Sequence, residues 1–155
     1  MADSIRQQIV NAVKTRLATI RLSNGYETEI GAHVFEWLTQ DLQASELPCV
    51  EFIDPKCQTI QHVSNVQEHD LEVWLKITGE PGTNVAQWTR KAVADVWKMV
   101  GVDRKWSGLA LTTYPKPPPD DSDALGFEQG NKIVSGADVK LIIKYRTRNF
   151  DPYNG

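Results

Sequence analysis

Residues 68–78 read EHDLEVWLKIT. The odd positions Leu71, Val73, Leu75 and Ile77 are apolar, and Glu68, Asp70, Glu72 and Lys76 among the even ones are charged. Side chains alternate across a strand, so this pattern predicts a strand with one face on a core and the other in water. Residues 136–148, GADVKLIIKYRTR, repeat the design. Ala137, Val139, Leu141, Ile143 and Tyr145 stand against Asp138, Lys140, Lys144 and Arg146. A sheet covered on both faces would read as continuous apolar runs. These two strands therefore belong to a sheet with a single buried face.

Outward from them the period changes from two to 3.6. Ile5, Ile9, Ala12, Val13, Leu17 and Ile20 recur at three- and four-residue steps, which predicts an amphipathic helix capped by Asp3 or Ser4 and stopped at Asn24-Gly25. Val85, Trp88, Ala92, Val96 and Val100 predict a second helix, with Asn84 as its cap and Gly101 at its left-handed C-terminal position. Shorter strands are expected at 32–38, 49–53 and 109–114, and a further one at 58–66, hairpin-linked to its successor. Consecutive strands with two helices predict an α+β fold: a mainly antiparallel sheet of four to six strands, both helices on one face.

Residues 1–148 read as one domain, interrupted by a Pro-rich loop at 115–123 and followed by a polar tail at 149–155. Pro117, Pro118 and Pro119 favour an extended path, and Asp120, Asp121 and Asp123 keep it solvated. The whole chain has 155 residues, 41 % of them AVILMFWYC and 24 % charged, with 17 basic against 20 acidic side chains. No run approaches ~18 uninterrupted apolar residues, so no membrane span is expected. A slight acidic excess argues against a free-standing nucleic-acid binder. The amino-terminal residues lack the apolar core of a signal peptide, and two cysteines fit a reducing compartment.

Chemistry-bearing motifs are sparse. His33, His62 and His69 have no partner at metal-ligand spacing, and Cys49 and Cys57 are eight apart, so no metal or cofactor is expected. Cys49, after Pro48 in an apolar strand, reads as a buried structural thiol. Phosphate-loop patterns are absent, and Gly126 and Gly130 read as turn glycines. The informative pattern is electrostatic. Glu68, Asp70 and Glu72 mark the polar face of one strand; Lys140, Lys144 and Arg146 mark that of the other. As neighbours in one sheet they would form cross-strand pairs; on separate edges they would set the register of a head-to-tail contact between subunits. Trp74 interrupts the charged face, either covered by another element or serving as an interface anchor. With Pro117, Pro118, Pro119, Asp120 and Asp121, these residues form the candidate interface set, and none is expected to be catalytic.

The opening helix IRQQIVNAVKTRLATI, the Gly-Tyr turn, the segment IGAHVFEW and the strand ELPCVEFIDP together resemble a family of small proteins of tailed phages and prophages, of the tail terminator or tail-completion type. The likeness runs from Ile5 to Pro55 in motifs and on to Arg148 in element order. It implies a non-enzymatic virion protein, made in the host cytoplasm, whose six copies form a ring at the head-proximal end of the tail tube. Such a ring ends tube polymerisation and offers a surface to the head–tail connector, and DNA passes through its lumen without specific binding. The alternatives are another tail or neck component of similar fold, such as a tube or completion protein, or a small intracellular enzyme or ligand-binding domain. That last reading would need polar groups converging around His33, His69 and Trp74.

Overall fold

A computed structural model describes residues 2–62, 64–82, 84–129 and 133–155. Its elements are α1 (Ile5–Leu17), β1 (Val34–Glu36), β2 (Cys49–Gln61), β3 (Val66–Thr78), α2 (Val85–Val102), β4 (Thr112–Pro115), β5 (Asp123–Gln129) and β6 (Ile133–Arg148), with short 3-10 turns before and after β1. The six strands form one open, mixed sheet in the order β1-β2-β3-β6-β4, and β5 also pairs with β6. Only β1 and β2 run parallel among these pairs. The fold is α+β, as the alternation of periods predicts.

Both helices pack on the apolar face of β3 and β6. Ile9, Val10, Val13 and Leu17 of α1 and Ala92, Val93, Val96 and Met99 of α2 share one core with Leu71, Val73, Leu75, Ile77, Val139, Leu141 and Ile143. Each fully buried aliphatic side chain contributes roughly 1.5–3 kcal/mol, so this shared cluster fixes which way the sheet faces. Ser4 caps α1, its Oγ accepting from the Gln7 backbone N–H at 3.2 Å. At the start of α2, Asn84 has left-handed backbone and makes no side-chain cap bond, and the helix runs through Gly101 to Val102. Gly101 is therefore a helical residue and not a terminal one. Asp95, buried on α2, accepts from the Glu27 backbone and the Thr28 hydroxyl, and so ties the loop after α1 to the second helix.

The strands expected at 49–53 and 58–66 are one strand with a change of phase. Val50 and Phe52 face the core, then the register shifts between Ile53 and Lys56, and Cys57 faces the core opposite Leu71. Pro55 has no N–H to give the ladder, which makes this the place for a bulge. Asp54, in the bulge, accepts from Arg6 Nη2 at 2.7 Å and from Trp37 Nε1 at 2.9 Å, so α1, the bulge and the segment after β1 are stapled together. The 149–155 segment, expected as a polar tail, folds back on the domain. Asn149 N–H donates to the Asn65 carbonyl, Arg148 N–H to that of Asn154, and Ile5 N–H to that of Pro152.

Candidate functional site

The face of the sheet away from the helices carries the charged residues of β3 and β6. These two strands are neighbours along their whole length, with Glu68 opposite Arg146, Asp70 opposite Lys144 and Trp74 opposite Lys140. The charges are thus not on separate edges; they form a ladder inside one chain. Lys144 Nζ sits 2.8 Å from both Glu68 Oε1 and Asp70 Oδ1, and Arg146 Nη2 is 3.1 Å from Glu68 Oε2. Of the two arrangements open to the sequence, the pairs are cross-strand and intrachain. Hydrogen bonds from Lys144, then Arg146, hold the Glu68 carboxyl below its usual range; those to Asp70 and Glu68 push the Lys144 ammonium up. Arg146 is half exposed, so solvent screens its pair with Glu68.

Next along β3, the environment is drier. Glu72 is 6 % exposed and accepts from Trp74 Nε1 and Lys116 Nζ, each at 2.6 Å. Burial raises the Glu72 pKa, and the bonds from Lys116 and Trp74 outweigh it and hold the carboxyl ionised below its ordinary value. Lys116 also reaches Asp120 at 2.8 Å, and its ammonium is raised by Asp120 first and Glu72 second. The Lys140 ammonium lies 4.8 Å from the centroid of the Trp74 ring. Trp74 is therefore partly buried, its N–H committed to Glu72 and its ring face to a cation. Its register neighbour Ile53 and the neighbour of Glu72, Ile142, are both buried on this side.

Lys116 and Asp120 belong to the Pro-rich loop, whose geometry is specific. Lys116 N–H donates to the Lys140 carbonyl, and Lys140 N–H donates to the carbonyl of Ser122. The chain leaves the edge of β6 at Lys116 and returns to the same residue at Ser122. On one side Thr112 pairs with Lys144 and Pro115 with Leu141; on the other Asp123 pairs with Val139 and Gln129 with Ile133. Without the six residues Pro117–Ser122, β4 and β5 would be one edge strand in unbroken register. Pro117, Pro118, Pro119, Asp120 and Asp121 are an excursion from that strand, tethered by the Lys116–Asp120 pair.

Elsewhere the candidate residues do not gather. His69 and Trp74 are of opposite parity on β3, so they lie on opposite faces of the sheet. His69 Nδ1 is 2.8 Å from Thr59 Oγ1, its Nε2 is 2.8 Å from Thr147 Oγ1, and its ring stacks on Tyr145 at 4.6 Å. Burial lowers its pKa. His33 Nδ1 is 3.3 Å from the Pro48 carbonyl, and His62 is 3.6 Å from Glu68. Cys49 is buried, as expected, and burial pushes its thiol up to about 11. Among the described residues no group of three or more His, Cys, Asp and Glu side chains is placed to hold a metal ion, and no helix is long and apolar enough to cross a membrane.

No protein-family model matches the chain, and neither does any curated protein.

Three features lie outside the sequence reading. Lys116 is one, because its bond to Glu72 spans 44 residues of chain. The second is β5, whose Leu125 and Phe127 are exposed at 39 % and 45 % on an edge strand. Their alternation was the available signal, but Gly126 between them reads as a turn. The third is Phe150, exposed in a segment that composition marks only as polar.

Proposed function

We propose that the chain is a structural subunit of a phage tail, of the terminator type: six copies close a ring on the head-proximal end of the tail tube. The ring stops tube growth, presents a surface to the head–tail connector, and leaves a lumen through which DNA passes without being gripped. In this reading the protein is not an enzyme, needs no cofactor, and resides in the virion after synthesis in the host cytoplasm. Its partners are other copies of itself, the tail tube protein and the connector.

The observation that carries this reading is where the exposed large apolar side chains lie. Ile60, Phe150 and Tyr153 lie toward one end of the long strands and Leu125 and Phe127 on the hairpin at the other, while Leu22, Trp37, Val102 and Leu111 are exposed elsewhere. An open sheet with its helices on one side and apolar groups at opposite ends suits a subunit with a neighbour on each side. Two further features support it. On the open face Lys144, Arg146 and Lys116 are occupied by Glu68, Asp70 and Glu72, which suits a wall that does not hold a polyanion, since non-specific affinity grows with each cationic phosphate contact. The 117–122 excursion stands off the sheet as a separate contact element for a partner.

Size-exclusion chromatography with light scattering, backed by native mass spectrometry, tests the reading. A hexamer is expected, either alone or on adding polymerised tail-tube protein. A chain that stays monomeric at high concentration, with and without tubes, overturns it.

A further inference from the structure

Among the described residues Phe150 is the most exposed large apolar side chain, at 81 %, and its backbone φ of 55° lies in the left-handed region. An aromatic residue is disfavoured there, so its surroundings must hold it. They do: Asn149 N–H bonds the Asn65 carbonyl at 2.9 Å, Phe150 N–H the Gln67 Oε1 at 3.3 Å, and Asp151 N–H the Arg148 carbonyl at 3.0 Å. Three bonds thus fix a strained residue so that it offers its ring to water. The turn brings the following residues back onto the domain, and the ring itself is left in water.

The complementary feature lies at the far end of β6, roughly 40 Å away at ~3.3 Å per strand residue. There Gly126 and Gly136 face each other in the β5–β6 register, with Thr78 next in the row on β3. This row lacks large side chains, and a groove of about 500 Å³ opens there, bordered by Lys76, Ala124, Val134 and Asp138. A Cβ placed on Gly126 would meet nothing within 4 Å, so the groove has room above bare backbone. Aromatic rings packed over strand glycines restore the contact that the missing side chains forfeit.

The charges at the two ends match. Lys76 and Asp138 flank the groove as register partners, and Arg148 and Asp151 flank Phe150. Among the described residues none of these four makes an ion pair, whereas Glu68, Asp70 and Glu72 in the middle of the same face pair with Lys144, Arg146 and Lys116, and Lys140 lies over the Trp74 ring. Among the described residues each end therefore presents a cation and an anion outside any ion pair, the Asp151 carboxylate also accepting from Tyr153 N–H and Asn154 Nδ2, and one apolar feature, a knob at one end and a groove at the other.

We infer that these ends dock head to tail between copies of this chain: Phe150 of one copy seats over the Gly126–Gly136 pair of the next, Arg148 meets Asp138, and Asp151 meets Lys76. The contact is heterologous, so each copy uses both ends, and the contacts form a ring when the rotation per copy closes. It deepens the ring reading and rests on it.

The test uses the full chain, with Phe150→Gly removing the knob and Gly126→Val filling the groove. Light scattering and native mass spectrometry read assembly, and thermal melting reads the fold. Wild type is expected as hexamers, and each variant as folded monomers with association weakened at least tenfold. Phe150→Gly should melt no lower than wild-type monomer, because glycine accepts the left-handed backbone without strain. Arg148→Asp should also block assembly, and Arg148→Asp with Asp138→Arg should restore it. Hexamers from both Phe150→Gly and Gly126→Val, or no rescue by the charge swap, overturn this contact and leave the ring standing. A wild-type chain monomeric with and without tubes overturns the contact and the ring reading together.

Discussion

On the helix-covered face of the sheet, Leu71, Leu75, Val139 and Ile143 are fully buried and packed by two helices. On the open face of the same strands, Glu68, Asp70, Glu72, Lys144 and Arg146 sit one residue out of phase with them and are held by one another and by Lys116. The two faces share every backbone hydrogen bond, so they differ only in side-chain physics. One is stabilised by removing apolar area from water, which is strong and indifferent to pH. The other is stabilised by compensated charge, which is weaker, sensitive to protonation and lost if one partner goes.

The largest expected effect breaks the covered face. Leu75→Ala removes a fully buried side chain between the helices and β3, and should cost about 3–4 kcal/mol in denaturant unfolding. A loss below about 1 kcal/mol would mean that the covered face is not the main source of stability. On the open face, Lys116→Met strands the buried Glu72 carboxylate, and we expect a cost of about 2–3 kcal/mol, trimmed from the fully buried case by residual exposure. Adding Glu72→Leu should recover most of that loss, since an apolar pair carries no uncompensated charge. If the double variant is as unstable as the sum of the singles, the residues are not coupled.

Acid separates the faces further. His69, on the helix side, has a folded pKa below its ordinary 6.5, so the unfolded chain takes up its proton first. Stability contributed there should fall as pH drops through about 6.5, and His69→Gln should flatten that part of the profile. The Glu68 and Glu72 carboxyls are depressed below 4.5, so their contribution is intact above that pH and is lost only below it. Melting curves between pH 8 and 3 should therefore show two windows, and a single fall confined to one of them would collapse the distinction. The smallest effect should follow from removing Pro117–Ser122. Because β4 and β5 are then continuous, we expect the fold to survive within about 1 kcal/mol, with the lost Lys116–Asp120 pair the main penalty. An unfolded product would show that the loop is part of the packing.

Much of this contrast was legible in residues 68–78 and 136–148, because a period of two states which side chains share a face without reference to anything distant. Strand adjacency was not legible. Whether Glu68 meets Arg146 depends on the sheet order, which is settled by the pairing of segments some 80 residues apart. The phase change at Asp54-Pro55 made one strand read as two, since its inward residues switch from even to odd numbers. Gly101 and Gly126 were misread for a common reason: glycine signals a break in isolation, but the helix runs one residue past the first and backbone pairing with β6 carries the strand through the second. The open face was readable as a list of charges, and its driest point, Glu72 with Lys116, was not, because nothing local links a strand carboxylate to a lysine beside a proline run.

The six-residue excursion at Pro117–Ser122 has a consequence for how such a protein can change. Both its ends are fixed to Lys140, and neither sheet phase nor strand pairing depends on what lies between. Substituted, lengthened or excised, it is expected to leave the neighbouring backbone where it is. The segment behaves as an exchangeable cassette in a constant frame, so a new partner could be met by rewriting a few residues there while every pairing in the sheet is inherited unchanged.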